Sequence, residues 1–184
     1  PATTDFYTLS LHDALPIYRG LLPDPQERVG LRVADGGFDP PHNDKITWQH
    51  LLQQTSEWEG TLWDKPDLVD RNRDLAAEGS ARSKKGTHRD LLQPGTYWEY
   101  NDVRVNRLSL SLLRLFRRPL PEVFAEAIMR PIGASTAWRW QGYRNSTVEI
   151  DGTPMVSVPG GSHWGGGISI HAEDQARLGL LMLG

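Results

Sequence analysis

An α+β fold made mostly of helices is what this sequence predicts, on three observations. Behind Asn101-Asp102, the residues Val105, Leu108, Leu112 and Leu115 recur at helical spacing. Ala172 to Leu183 is a second amphipathic stretch. Between them, Thr147-Val148-Glu149-Ile150 and Thr153 to Val158 flank Asp151-Gly152, a strong hairpin signal. The chain has 184 residues, which suggests one domain with a core that needs no staples. It contains no Cys, which excludes disulfides, thiol catalysis and Cys-bound metal. The net charge of -3 gives no steering field, so nucleic acid and anionic membranes are not expected partners. No run approaches the roughly 20 apolar residues of a membrane helix. Composition leaves the compartment open.

The elements follow in order. Residues 1 to 17 fit poorly with the rest. The run Tyr7-Thr8-Leu9-Ser10-Leu11-His12-Asp13-Ala14-Leu15-Pro16-Ile17 looks like a translated sequencing adapter, so residues 1–17 are set aside as non-native. From Tyr18 the chain reads as authentic. Gln26 to Val33 is a short helix or turn, and Asp35 to Pro41 an irregular loop. Thr47 suits a helix N-cap, with Trp48, Leu51 and Leu52 on the apolar face behind it to about Gln54. Glu57 to Lys85 is a long polar loop with at most one helix, near Asp67 to Glu78. Arg82 to Gly86 reads as a solvated charged tip. Pro121 suits a first helical position, and that helix ends by Pro131. Pro159-Gly160-Gly161 breaks the hairpin, and Ser162 to Gly167 is a glycine-dense loop.

The stretch that organises the rest is Pro94-Gly95-Thr96-Tyr97-Trp98-Glu99-Tyr100-Asn101-Asp102. Pro94-Gly95 is a turn signal, Thr96 to Glu99 an extended run, and Asn101 and Asp102 are both good N-caps. Tyr100 therefore sits at the mouth of a loop, just before a helix that packs. Taken alone, it reads as a cleft-lining Tyr with one hydrogen-bond partner.

This stretch resembles the Pro-Gly-x-x-x-x-Tyr-x-Asn segment of the penicillin-recognising serine hydrolases. That family comprises class C β-lactamases, D-Ala-D-Ala peptidases and related esterases and amidases. Asp102 stands where Asn is usual. Ile46 to Ser56 is similar to the family's Ile-Thr-x-x-x-Leu-Leu-x-His-Thr-Ser, with Gln54 in the His place. Met129 to Ala134 is similar to its Pro-Leu-Gly-Met helix end, and Gly165 to Gly179 to its Gly-Gly loop and following helix. The resemblance covers roughly residues 45 to 184, in the right order.

It implies a partial serine β-lactamase/DD-peptidase-like fold over 18–184, truncated at both ends and holding much of the helical subdomain with few strands. The whole protein would then cleave an amide or ester through an acyl-enzyme. Family members attack with a Ser in Ser-x-x-Lys, and none exists here. The residues three before Lys45, Lys65, Lys84 and Lys85 are His42, Leu62, Ala81 and Arg82. His163-Trp164-Gly165 matches the family's His-x-Gly as letters, but it falls too soon after Tyr100 and reads as the approach to the last helix. The resemblance implies catalytic roles for Tyr100 and Asp102 and substrate contacts from Trp58, Trp164 and Gly165. Asp102 would hold the absent Lys or simply cap its helix. No cofactor or metal is expected, since the His residues lack ligand spacing. Glu57 and Glu59 could be imagined as a glycosidase pair, but two carboxylates in one loop are common and prove nothing. The alternatives are an aromatic-rich module that binds carbohydrate or peptide, and a catalytically dead relative.

Overall fold

The computed structural model describes residues 19–22, 24–72, 86–158 and 167–183. Four α-helices and three two-stranded antiparallel sheets lie in these segments. The helices are α1 (Trp48–Leu52), α2 (Asp102–Phe116), α3 (Leu120–Phe124) and α4 (Ala172–Leu183). The strands are β1 (Thr61–Leu62), β2 (Lys65–Pro66), β3 (Arg139–Gln141), β4 (Thr147–Ile150), β5 (Thr153–Val156) and β6 (Gly167–Ser169). β1 pairs with β2, β4 with β5, and β3 with the distant β6. Residues 1–17 and 82–85 and the segment 159–166 lie outside the described residues.

α2 is the central element. It packs on α1, α3 and β1. Its expected apolar residues Val105, Leu108 and Leu112 are buried, and so is the opposite side. Arg104, Asn106, Arg107, Ser109 and Ser111 are each no more than 5 % exposed. A helix covered on all sides must satisfy its polar side chains internally. Arg107 does so in part, by an ion pair with Asp35 and by lying over the Phe38 ring, 4.3 Å from its centroid, while its Nε has no hydrogen-bond partner among the described residues. The Asp35 to Pro41 loop is therefore the cover of α2.

α1 begins at Thr47, as its sequence predicts. The Thr47 hydroxyl accepts from the His50 N–H, and the Thr47 N–H donates to His50 Nδ1, which closes a capping box. α3 starts beside Pro119 and Pro121 and passes directly into one π-helical turn, Ala125–Met129. Phe124 packs edge-on against Trp138 and Trp140, at 5.5 and 5.7 Å between ring centroids.

The Asp151-Gly152 hairpin forms as expected. Both turn residues have positive φ, 54° and 76°, the backbone that matches the strand twist. The β1–β2 hairpin has no such signal in the sequence. Its turn residues are Trp63 and Asp64, at φ 48° and 65°. A bulky aromatic residue in the left-handed region is strained, at a cost of order 1–3 kcal/mol.

Candidate functional site

The Tyr100 backbone is fixed from both sides. On its N-terminal side, Glu99 is buried, and its carboxylate accepts from Arg89 Nη2 at 2.8 Å and Arg104 Nη1 at 3.3 Å. On its C-terminal side, Asn101 is fully buried and caps α2. Its Oδ1 accepts from the N–H groups of Val103 (3.0 Å) and Arg104 (3.2 Å), and its Nδ2 donates to the Asp67 carbonyl (2.9 Å). Tyr100 itself is half-buried, and Trp98, two residues earlier, is 58 % exposed.

The two segments with family-like letters lock onto each other. Gly95 N–H donates to Thr55 O at 2.8 Å, and Glu99 N–H to Gln54 O at 3.2 Å. Gly95 has φ 90°, and a Cβ there would lie 2.7 Å from His50 Nε2. Both the backbone and the neighbour demand glycine at this position.

Beneath this turn lies a buried ion network of three arginines and three carboxylates: Arg71, Arg89 and Arg104 with Glu57, Asp67 and Glu99. Glu57 accepts from Arg104 Nη1 at 2.7 Å, and from Arg89 Nη1 and Nη2 at 2.7 and 2.8 Å. Asp67 accepts from Arg71 at 2.8 and 3.0 Å. Burial pushes the Glu57 carboxyl up. The Arg89 hydrogen bond, the Arg104 charge and the Leu92 N–H outweigh burial and hold it at about 2. A carboxyl held ionised in this way cannot serve as a general acid near neutrality. Glu57 is thus a structural anion, which is consistent with setting the Glu57–Glu59 pair aside as a glycosidase site.

Asp102 is 1 % exposed in the first turn of α2, and its N–H donates to Asp70 Oδ2 at 3.2 Å. The cap itself is Asn101. Around Asp102 the fold gathers residues that the sequence did not single out. Asn106, one turn along α2, lies beside Tyr143 from the β3–β4 connection. Burial pushes the Tyr143 phenol up, the Asn106 contact opposes this, and the charges of Asp102 and Asp70 push it further up. Tyr143 packs against Trp63 at 5.8 Å, and Lys65 Nζ stands 4.1 Å from its ring centroid. The spacing of Asp102 and Asn106 could have flagged one helix face. Tyr143 lies in a connection without periodicity and gave no signal.

Trp58 is placed differently from its expected role. It is 3 % exposed, its indole N–H donates to Gly37 O at 2.7 Å, and its carbonyl accepts from Arg104 Nε at 3.0 Å. It is a packed core residue that ties the loop to α2. Trp164 and Gly165 fall in the segment 159–166, outside the described residues. Among the described residues, no group of three or more His, Asp or Glu is arranged to hold a metal ion, and no helix is long and apolar enough to cross a membrane.

No family model matches the sequence, and no curated protein does. The fold has clear likenesses. A penicillin-binding protein from Bacillus halodurans superposes with a TM-score of 0.60 at 17% identity, over 98% of this chain and 56% of its own. A D-stereospecific amidohydrolase from Streptomyces sp. gives 0.57 at 16% identity, over 98% and 58%. A β-lactamase/D-alanine carboxypeptidase from Pseudomonas syringae gives 0.57 at 15% identity, over 100% and 49%. The chain thus has the fold of the penicillin-binding-protein and β-lactamase-like proteins. It spans about half the length of these structures.

Proposed function

We propose that this chain carries one arm of a serine-hydrolase site that cleaves an amide or ester through an acyl-enzyme. The observation that supports this most is the clamped turn, in which buried Glu99 and Asn101 leave Tyr100 between two fixed points on this fold. In the proposed reaction a Ser hydroxyl adds to the substrate carbonyl and gives up its proton. The leaving amine or alcohol departs with a proton relayed through Tyr100, and water then hydrolyses the ester. A free phenol, with pKa about 10, is a poor base near neutrality, so Tyr100 needs an ammonium beside it. Asp102, buried one turn from Asn106, is proposed to hold that ammonium. Trp164 and Gly165 are proposed as substrate contacts on the resemblance alone.

The nucleophile and its Lys are proposed to lie upstream in a longer natural chain, with residues 1–17 standing in their place. This chain by itself would then be inactive. An aromatic binding module is less well supported, since Trp58 is spent on packing.

The test uses an upstream-extended chain that includes a Ser-x-x-Lys segment, assayed on a p-nitrophenyl ester. Tyr100→Phe is expected to lower kcat by ~10²–10⁴ with an unchanged melting temperature. A Tyr100→Phe enzyme as fast as the unsubstituted one would remove Tyr100 from the chemistry.

A further inference from the structure

On the face formed by the π-helical turn and the segment leading to β3 lies a cavity of about 330 Å³. That is within the size of small-molecule sites. The π turn is wider than an α turn, and such turns recur at functional sites. Ala125, Met129, Ala134 and Trp138 give the cavity an apolar side, and Arg130 and Arg139 give it two cations. No carboxylate lines it. The acids nearby are already engaged. Glu126 accepts from Arg118 at 2.8 and 2.9 Å, and Asp174 accepts from the Ser135 N–H at 2.9 Å and from Arg177 at 3.0 Å. Arg139 Nη1 donates to the carbonyls of Thr136 and Trp138 at 2.9 and 2.8 Å, which fixes the guanidinium in place. Among the described residues the Arg130 side chain makes no hydrogen bond or ion pair, and the nearest acid acting on it through its charge is Glu126.

A cavity with one apolar wall, two cations and no acid in its lining fits a ligand of opposite charge with a hydrocarbon body. We propose that it binds an aliphatic monocarboxylate, with the head between Arg130 and Arg139 and the chain on Met129 and Trp138. A planar carboxylate suits guanidinium forks. The site is separate from the Tyr100 turn and does not depend on the hydrolase reading.

The test is titration of this chain with octanoate, followed by calorimetry and by tryptophan fluorescence. Octanamide serves as the uncharged control. The expected result is saturable binding with one octanoate per chain, weakened on the order of tenfold in R130Q and in R139Q, and absent for octanamide. The fluorescence change should vanish in W138F. R130Q is the cleaner variant, because Arg130 is exposed and removing it breaks no hydrogen bond; R139Q also loosens the Thr136–Trp138 turn. Absence of saturable binding would overturn the proposal. So would equal binding of octanamide, an R130Q affinity equal to that of the unsubstituted chain, or a fluorescence change that survives in W138F.

Discussion

Glu57 shows how this protein uses buried charge. Its side chain is fully enclosed, and two guanidinium groups hold it ionised. Removing one partner of a buried pair leaves the other charge uncompensated, which costs more than the pair is worth. Glu57→Gln is expected to lower unfolding free energy by about 3–5 kcal/mol in urea titrations, since it removes the fully buried carboxylate that Arg89 and Arg104 share and leaves Glu99 to balance both. Arg118→Gln, which breaks an exposed pair with Glu126, should leave the urea midpoint unchanged. Equal effects from the two substitutions would mean that the network is ornamental. At position 95, the left-handed φ and His50 act together, and Gly95→Ala should destabilise the Tyr100 turn ahead of the rest of the chain. Hydrogen exchange at residues 95–100 would report it as faster local opening; unchanged protection there would count against the clamp.

The start of α2 is the element on which the site hangs. Asn101 satisfies two N–H groups of the first turn and reaches the Asp67 carbonyl, so one side chain joins helix, loop and turn. Asn101→Ala is expected to cost about 2 kcal/mol and to disorder the connection to Asp67. A loss indistinguishable from zero would show that another group caps the helix. This element was readable in advance, because a cap followed by apolar residues at helical spacing is a local pattern. The Thr47 cap and the Asp151-Gly152 turn were readable for the same reason. The burial of Arg104 and Arg107 was not, since periodicity marks these positions as the polar face. Their partners Glu57, Glu99 and Asp35 come from other parts of the chain, and only tertiary structure brings them together. The burial of Trp58 was hidden for a related reason: an indole in a polar loop looks like a surface residue until Gly37 supplies its hydrogen bond. Pairing of β3 with β6 joins residues 139–141 to 167–169, and no local turn chemistry announces it. Tyr143 joins Asp102 by the same kind of distant closure.

The whole molecule should be sensitive to acid, and the sign follows from the shifts. Glu57 is held at about 2 against an ordinary value of 4.5, and Asp35 is also held low; burial pushes it up, but Arg107 and Arg114 prevail. Such groups take up protons more readily in the unfolded chain, so their stabilisation is complete above about pH 4.5 and is lost as pH falls toward about 2. Burial also pushes the His50 imidazole down, so its protonation opposes the fold in the same direction. Circular-dichroism melts across that window should show a steady fall in melting temperature, and a flat profile would contradict the assigned network. The larger proposal is that the clamped Tyr100 turn works with a Ser-x-x-Lys pair, a motif this sequence lacks. Intact mass spectrometry after incubation with a fluorophosphonate tests it most directly, on this chain and on the chain extended upstream. The account predicts no adduct on the first and one per molecule on the second; a stoichiometric adduct on this chain, or none on the extended one, would contradict it.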